Sequence, residues 1–187
     1  MISVPSVSSV SQIPLSTNLE LKARCKSFRR ASGIAEALCR RRSAVLKQTD
    51  TYFLVPQGRL KLREIAGHPS ELIWYQRPDK AGAKISDYRI AKVRNPKQLC
   101  AILGKLFGIL VTVRKVRHLY LHKNARIHLD RVSGLGEFIE FEVVVRKGMP
   151  QAKRLMASLV SEFGIQRRNR IPLSYSNLLL NHPRRSP

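Results

Sequence analysis

Apolar and charged residues alternate along several short stretches of this chain, and a two-residue period is the pattern of a β-strand. At the first such stretch, Leu19, Leu21 and Ala23 alternate with Glu20 and Lys22. Turn signals such as "PQG" and "SGLG" separate the stretches. The pattern predicts eight strands, at residues 19–25, 49–55, 59–65, 71–78, 84–93, 111–122, 125–132 and 137–145.

Three other stretches carry apolar residues at the three- to four-residue spacing of a helix. Residues 95–107 begin with Asn and Pro, which favour a helix start, and residues 150–164 begin near a Pro and end at a Gly. Ile34, Leu38 and Val45 predict a further helix over residues 32–47. Many short antiparallel strands with a few helices predict an α+β fold, with the sheet either open or closed into a barrel.

Composition limits both the number of domains and the class of partner. With 187 residues, of which 43% are hydrophobic, the chain is long enough for one domain with a sizeable core. Its 35 Lys and Arg against 12 Asp and Glu give a net charge of +23. That excess indicates a polyanionic partner, which is nucleic acid, an acidic membrane surface or a highly phosphorylated small molecule.

The chain ends and the cysteines favour a cytoplasmic protein without a membrane anchor. Residues 1–17 are Ser-rich and uncharged, and we expect a disordered leader there and a loose basic tail at residues 182–187. The longest apolar stretch is broken by Lys105 and is too short to span a bilayer. The three cysteines are widely spaced and form no CxxC pair, which favours a reducing compartment over a disulfide framework or zinc site.

The charged faces of the predicted strands raise the main functional question. For one strand, a solvated outer face is the ordinary interpretation. Here one late strand carries Glu140 and Glu142, whereas strands between it and the first present mostly Lys and Arg. If the sheet closes, carboxylates suited to Mg²⁺ or Mn²⁺ meet cations suited to phosphate oxygens. A complex of metal and polyphosphate would satisfy both sets.

These residues match a known family. The chain resembles the CYTH superfamily, the triphosphate tunnel enzymes, which include class IV adenylyl cyclases, thiamine triphosphatases and inorganic tripolyphosphatases. The matching stretches run in family order from Asn18 to Leu180 and are "NLELKARC", "QTDTYF", "GRLKLRE", "LIWYQRPD", "SDY", "RIHLDRVSGLGEFIEFEVV" and "SYSNLLL". The resemblance implies an eight-stranded antiparallel β tunnel with flanking helices over residues 18–181, with the charged faces pointing inward.

The resemblance also implies the site. The family signature ExExK appears here as Asn18-x-Glu20-x-Lys22, so one carboxylate of the signature is replaced by an amide. Lys22 matches the catalytic lysine, which in hydrolytic members orients the attacking water. The other implied site residues are the ligands of Mg²⁺ or Mn²⁺, Glu20, Asp130, Glu140 and Glu142, and the phosphate-binding residues Lys22, Lys61, Arg63, Arg77, Lys115, Arg117 and Arg126.

The reaction stays open at this point, because one tunnel serves several chemistries. The "SGLGEF" and "SYSNLLL" stretches are most similar to the class IV adenylyl cyclase branch, which converts ATP to cyclic AMP and pyrophosphate. The alternative is a triphosphatase acting on tripolyphosphate, thiamine triphosphate or a nucleoside triphosphate. The surplus of surface cations supports a third hypothesis, that the protein is an RNA-binding module.

We expect the protein to be a monomer or a homodimer. The histidines lack metal-ligand spacing, although His128 could face the tunnel beside Asp130.

Overall fold

The structure is a computed structural model that describes residues 14–39, 44–79, 82–146 and 148–181. Its strands are β1 (Ser16–Arg24), β2 (Ala44–Phe53), β3 (Arg59–Ile65), β4 (His68–Gln76), β5 (Lys84–Val93), β6 (Ile109–His122), β7 (Ala125–Val132) and β8 (Gly136–Val144). Its helices are α1 (Phe28–Cys39), α2 (Pro96–Phe107), α3 (Met149–Glu162) and α4 (Tyr175–Leu180), with a 3₁₀ turn at Arg167–Asn169.

The strands close into an antiparallel barrel. Their order is β1-β5-β4-β3-β2-β6-β7-β8, and β1 also pairs with β8, so the described sheet has no free edge strand. Closure gives every strand an inner and an outer face, and it confirms the α+β fold class with an eight-stranded tunnel and flanking helices.

The pairing of β1 with β8 determines which residues face inward. Glu20 lies opposite Glu142, and Lys22 lies opposite Glu140. The alternate residues of β1 point outward, where Leu19, Leu21 and Ala23 are buried among apolar residues of α1 and α3. The charged face of the first strand therefore lines the tunnel, and its apolar face supports the helices.

The C-terminal segment covers one end of the tunnel. The amide of Ile171 donates a hydrogen bond to the carbonyl of Lys22 at 2.8 Å. The hydroxyl of Ser174 accepts from the amide of Asn177 at 3.1 Å and so caps α4. The Tyr175 ring then packs edge-on against Phe138, with 5.0 Å between ring centroids. A residue far along the chain is thereby placed inside the barrel.

One predicted helix is wrong over its last four residues, 44–47. Residues 32–47 were expected to be helical, but α1 spans Phe28–Cys39 and β2 already begins at Ala44. The N-terminal half of β2 pairs with β6, where Val45 lies opposite His118. Inter-strand pairing thus overrides a helical spacing that rested on few apolar positions. The helices expected at 95–107 and 150–164 are α2 and α3.

The expected chain ends are only partly described. β1 begins at Ser16, two residues before the domain boundary predicted at residue 18. Most of the predicted leader and the predicted tail at residues 182–187 lie outside the described residues. Within the part of the chain that the structure describes, none of the helices has the length and apolar character needed to cross a bilayer.

Candidate active site in the tunnel

The barrel encloses a cavity of about 350 Å³, which is within the range of small-molecule sites. Polar side chains from all eight strands and from α4 line it, and these are Asn18, Glu20, Lys22, Gln48, Asp50, Tyr52, Lys61, Arg63, Glu71, Tyr75, Arg77, Ser86, Tyr88, Lys115, Arg117, Arg126, His128, Glu140, Glu142, Ser174 and Tyr175. Burying a charged group is costly unless it has a compensating partner, so the partner of each buried charge has to be identified.

A larger surface depression of about 840 Å³ adjoins this cavity and shares Gln48, Ile65 and Lys115 with it. Its other cations include Arg114 and Arg131, which are exposed to solvent. Because exposed charges are hydrated and interact weakly, the buried charges of the tunnel are the better candidate for a site.

Asp50 organises one wall of the tunnel. This carboxylate is 1% exposed. It accepts hydrogen bonds from Arg63 at 2.7 and 3.0 Å, from Lys61 at 3.1 Å and from Lys115 at 2.7 Å. One anion therefore holds three cations that come from β3 and β6. We call Asp50, Lys61, Arg63, Lys115 and Arg117 the cationic wall.

The ionisation of the cationic wall follows from this crowding. Burial alone would raise the pKa of Asp50, but Arg63, Lys115 and Lys61 together hold that pKa well below its usual range. Burial lowers the pKa of Lys115 to about 7, and Asp50 opposes this shift while the neighbouring Arg63 adds to it. The wall carries more positive charge than Asp50 neutralises, so it is suited to a further anion.

Arg117 joins the cationic wall to carboxylates on the neighbouring strands. It forms a bidentate pair with Asp130 at 2.8 and 2.6 Å, and it also donates to Glu140 at 2.9 Å. The hydroxyl of Tyr175 donates to the same Asp130 at 2.8 Å. Both oxygens of Asp130 thus accept hydrogen bonds that orient Arg117 and Tyr175, and its role as a metal ligand stays a prediction.

Three potential metal ligands lie together on β7 and β8. One ligand atom from each of His128, Glu140 and Glu142 lies within 4.8 Å of the others. The Nδ1 atom of His128 is buried and lies 3.6 Å from Glu142 and 3.8 Å from Glu140, distances beyond a hydrogen bond. Burial and Arg117 lower the pKa of His128, which favours the neutral imidazole that a metal needs. We call these residues, with Glu20, the acidic wall.

The two carboxylates of this group remain ionised. Burial opposes ionisation, but the charges of Lys22 and Arg117 hold the pKa of Glu140 well below its usual range. Arg126, and His128 when it is protonated, likewise lower the pKa of Glu142 to about 2. Once its proton is lost, the imidazole beside two carboxylates completes a donor set that a divalent cation can bind.

Glu20 completes the acidic wall from β1. Burial and the facing Glu142 raise its pKa, although Arg77 donates to it at 2.9 Å. Arg126 donates to Glu142 at 2.8 Å. Arg77 and Arg126 therefore both line the tunnel, and each is paired with one carboxylate of the acidic wall.

Lys22 lies between the acidic wall and α4. Its Nζ atom is 3.4 Å from Glu140 and 3.8 Å from the centroid of the Tyr175 ring. Burial lowers the pKa of Lys22, and Glu140 opposes that shift. A cation held against an aromatic face and one carboxylate is pre-positioned to meet a reacting group.

The structure brings together most of the site residues that the sequence predicts. Glu20, Lys22 and every nominated Lys and Arg line one cavity, together with Glu140 and Glu142. Asp130 is buried behind that lining and paired with Arg117. The sequence did not predict four residues that also line this cavity, Asp50, Tyr52, Tyr75 and Tyr175. The alternation of Gln48, Asp50 and Tyr52 along β2 was the available signal for two of them.

Comparisons with known proteins agree with this geometry. A family model described as the CYTH domain matches residues 16–175. The chain is similar to the structure of PH1012 from Pyrococcus horikoshii OT3, with 23% identity, a TM-score of 0.77, and coverage of 86% of this chain and 98% of that one. No curated protein matched the sequence.

Two further solved structures show the same fold. A candidate adenylate cyclase from Vibrio parahaemolyticus is 18% identical with a TM-score of 0.66, covering 87% of this chain and 97% of that one. A candidate adenylyl cyclase from Hippeastrum, described as having a dominant triphosphatase activity, is 17% identical with a TM-score of 0.59 and covers 87% and 94%. At these identities the likeness establishes the fold alone.

Replacing the organising carboxylate should destabilise the protein. We expect Asp50→Asn to lower the free energy of unfolding by about 3–5 kcal/mol, because three buried cations lose their shared partner. Glu137→Gln, which removes an exposed pair with Arg131, should cost less than about 1 kcal/mol. Urea unfolding at pH 7 measures both. Equal, small losses in the two variants would show that Asp50 does not organise the wall.

The same carboxylate predicts a dependence on pH. The folded pKa of Asp50 lies below its ordinary value of 3.8, so its stabilisation is present above that pH and is lost as the pH falls below it. The unfolding free energy of the wild type should therefore decline more steeply below pH 4 than that of Asp50→Asn. Urea unfolding between pH 7 and pH 2.5 tests this, and parallel curves would contradict it.

Proposed function

The chain belongs to the CYTH domain family, and from this premise we propose that it is a divalent-metal-dependent enzyme that binds a triphosphate in the tunnel and breaks one phosphoanhydride bond. The observation that carries the proposal is the enclosure of the cationic wall and the acidic wall in one cavity. Either wall alone would be costly to bury, and a metal–triphosphate complex compensates both.

The cationic wall is the proposed site for the phosphates. Lys61, Arg63 and Lys115 converge on Asp50, and Arg117 lies beside them on β6. The guanidinium groups have further N–H donors for phosphate oxygens, since Arg carries five. We propose that Asp50 keeps these cations in place before substrate arrives, which lowers the cost of ordering them on binding.

The acidic wall is the proposed site for Mg²⁺ or Mn²⁺. Glu140, Glu142 and His128 would hold the ion, and Glu20 lies opposite Glu142 to add a carboxylate. The position of His128 Nδ1 fits this role, because it is buried, makes no hydrogen bond in the described structure and lies 3.6 Å from Glu142. When bound, the ion acts as a Lewis acid that neutralises charge on the phosphates.

Lys22 is the proposed catalytic residue. Its Nζ, held 3.4 Å from Glu140, lies in the cavity next to the proposed metal ligands. A cation at this place can orient a nucleophile and stabilise the negative charge that develops at the reacting phosphorus. The Tyr175 ring packs against Lys22 from the α4 side, and Lys22 is only 4% exposed.

Two reactions fit the same site. In the cyclase reaction, the ribose 3′-oxygen of ATP bonds to the α-phosphorus, loses its proton, and pyrophosphate leaves. In the hydrolase reaction, a water oxygen bonds to the terminal phosphorus and loses a proton to solvent, and the P–O bond to the remaining diphosphate breaks. The likeness to the Vibrio parahaemolyticus structure favours testing the first, and the dominant triphosphatase activity of the Hippeastrum protein favours testing the second.

A second candidate function, RNA binding, would use the outer surface of the protein. Arg29 and Arg30 on α1, and Lys153 and Arg154 on α3, are exposed cations that the tunnel does not use. They support weak, salt-sensitive binding of RNA, either as a function of its own or as a contact for a 5′-triphosphate end.

Product analysis tests the proposal. With Mn²⁺ or Mg²⁺, we expect turnover of at least one of ATP, tripolyphosphate, thiamine triphosphate and 5′-triphosphorylated RNA, and EDTA should abolish it. Cyclic AMP with pyrophosphate identifies the cyclase, and free phosphate identifies the hydrolase. No turnover of any of the four, together with salt-sensitive RNA binding, would contradict the enzymatic proposal.

Two paired substitutions test the site. Lys22→Ala and Glu142→Gln should each reduce kcat by at least about 10²-fold, since each removes charge at the reacting phosphates. The controls Lys47→Ala and Glu137→Gln remove a Lys and a Glu from the outer face of the barrel and should keep kcat within about two-fold. Circular dichroism checks that all four variants fold. Full activity in the first pair would show that the site lies elsewhere.

A further inference from the structure

Exposed apolar side chains are concentrated at the C-terminal end of α2. Five large apolar residues in this part of the surface are between 39% and 69% exposed, and these are Leu54, Ile102, Leu106, Phe107 and Ile109. We call them the apolar patch. Contiguous apolar surface on a folded protein typically marks a site where another molecule binds.

The turn of the chain at Gly108 brings the residues of the apolar patch together. Gly108 adopts a φ of 75°, which glycine tolerates, and its amide ends α2 by donating to the carbonyl of Gly104 at 3.0 Å. The Gly108 carbonyl accepts from the amide of Leu54 at 3.2 Å, and the Ile109 side chain packs against Gly104. The ends of β2 and β6 are therefore held beside the last turn of α2, and the patch is one surface.

The apolar patch is separate from the side chains that attach α2 to the barrel. Leu99, Cys100 and Leu103 pack against Phe53 and Leu62 and supply that attachment. The patch residues are left over from this packing, so the fold gains nothing from them. Removing their apolar area from water would instead stabilise a complex with a partner.

The chain around the apolar patch is strongly cationic. Residues 88–129 contain ten Lys and Arg and no Asp or Glu. Arg94, Lys97 and Lys105 lie on α2 or just before it, and each is exposed without an ion pair to any other described residue. Glu64 is the acid that shares a surface depression with Lys97 beside α2. Because a second copy of the chain would bring like charges together, the complementary partner of this surface is anionic.

Two kinds of anionic partner can be compared, a protein with acidic side chains and an acidic lipid bilayer. A stable protein interface involves about 20–30 residues on each side around a closely packed apolar core. The apolar patch has five residues, arranged around the exposed end of one helix. A fluid bilayer surface adapts to such an end, and its acidic headgroups attract the flanking Lys side chains. The size and charge of the patch therefore favour lipid.

We propose that the apolar patch inserts into the surface of an anionic lipid bilayer, with Lys97 and Lys105 facing the acidic headgroups. Such a peripheral contact needs no membrane-spanning helix, and it goes beyond the proposed function because it uses none of the tunnel residues. From Ile102 to Phe107 the helix rises by about 7.5 Å, which matches the depth of about 5–10 Å that interfacial apolar faces reach. Apolar insertion and charge attraction both contribute, so the binding is reversible and weakens with added salt.

Vesicle sedimentation with matched variants tests this contact. The full chain should sediment with vesicles of phosphatidylcholine and phosphatidylserine, and about five-fold less with vesicles of phosphatidylcholine alone. Leu106→Glu and Ile109→Glu should each lower the fraction bound to the acidic vesicles by about five-fold or more. The control Leu121→Glu makes the same change at the opposite end of β6, where Leu121 is 52% exposed and Ile109 is 54% exposed. It should keep the bound fraction within about two-fold of the wild type.

The other outcomes overturn the inference. Equal sedimentation of the wild type with both kinds of vesicle removes the requirement for acidic lipid. Equal binding by the wild type and all three variants, or an equal loss in all three, shows that the apolar patch is not the contact. If the wild type binds no vesicles, light scattering that finds a dimer dissociated by Leu106→Glu assigns the patch to a second copy. Binding of an acidic amphipathic peptide without vesicle binding assigns it to a protein partner. Circular dichroism checks that the three variants fold.

Discussion

The pairing of β1 with β8 is the constraint on which the rest of this structure depends. It closes the barrel, and closure assigns every alternate residue of eight strands to an enclosed interior. Without it, Glu20 and Lys22 would lie on the edge of an open sheet and be solvated. With it, they face Glu142 and Glu140 at close range. The interior then has to compensate much of its charge internally, which the network around Asp50 and Arg117 does.

The internal network also explains how a tunnel full of charge can be both stable and ready to bind. Each Lys or Arg that the sequence predicts for the site has a carboxylate partner in the described structure. Lys61, Arg63 and Lys115 share a single one, Asp50. Such sharing leaves positive potential that attracts an anion, while the ion pairs keep the side chains ordered. Stability and phosphate recognition are therefore served by the same contacts.

Much of the fold and site can be predicted from the sequence, because the two-residue alternation of apolar and charged residues records the barrel's two faces. What cannot be predicted depends on contacts between distant residues. Asp50 appears as a lone acid in a Thr-rich strand, and its partner Lys115 is 65 residues away. Tyr175 enters the site only because α4 folds over the tunnel end. Residues 44–47, which the sequence assigned to a helix, are likewise strand through their pairing with β6.

The central claim is that the interior charges form one site for a metal–triphosphate complex. The most direct test is a crystal structure of the chain with Mn²⁺ and tripolyphosphate, with manganese located by anomalous diffraction. The account predicts manganese in contact with His128, Glu140 and Glu142, and phosphate oxygens on Lys61, Arg63, Lys115 and Arg117. Manganese and phosphate bound only to outer-surface side chains, with neither ligand inside the tunnel, would contradict it.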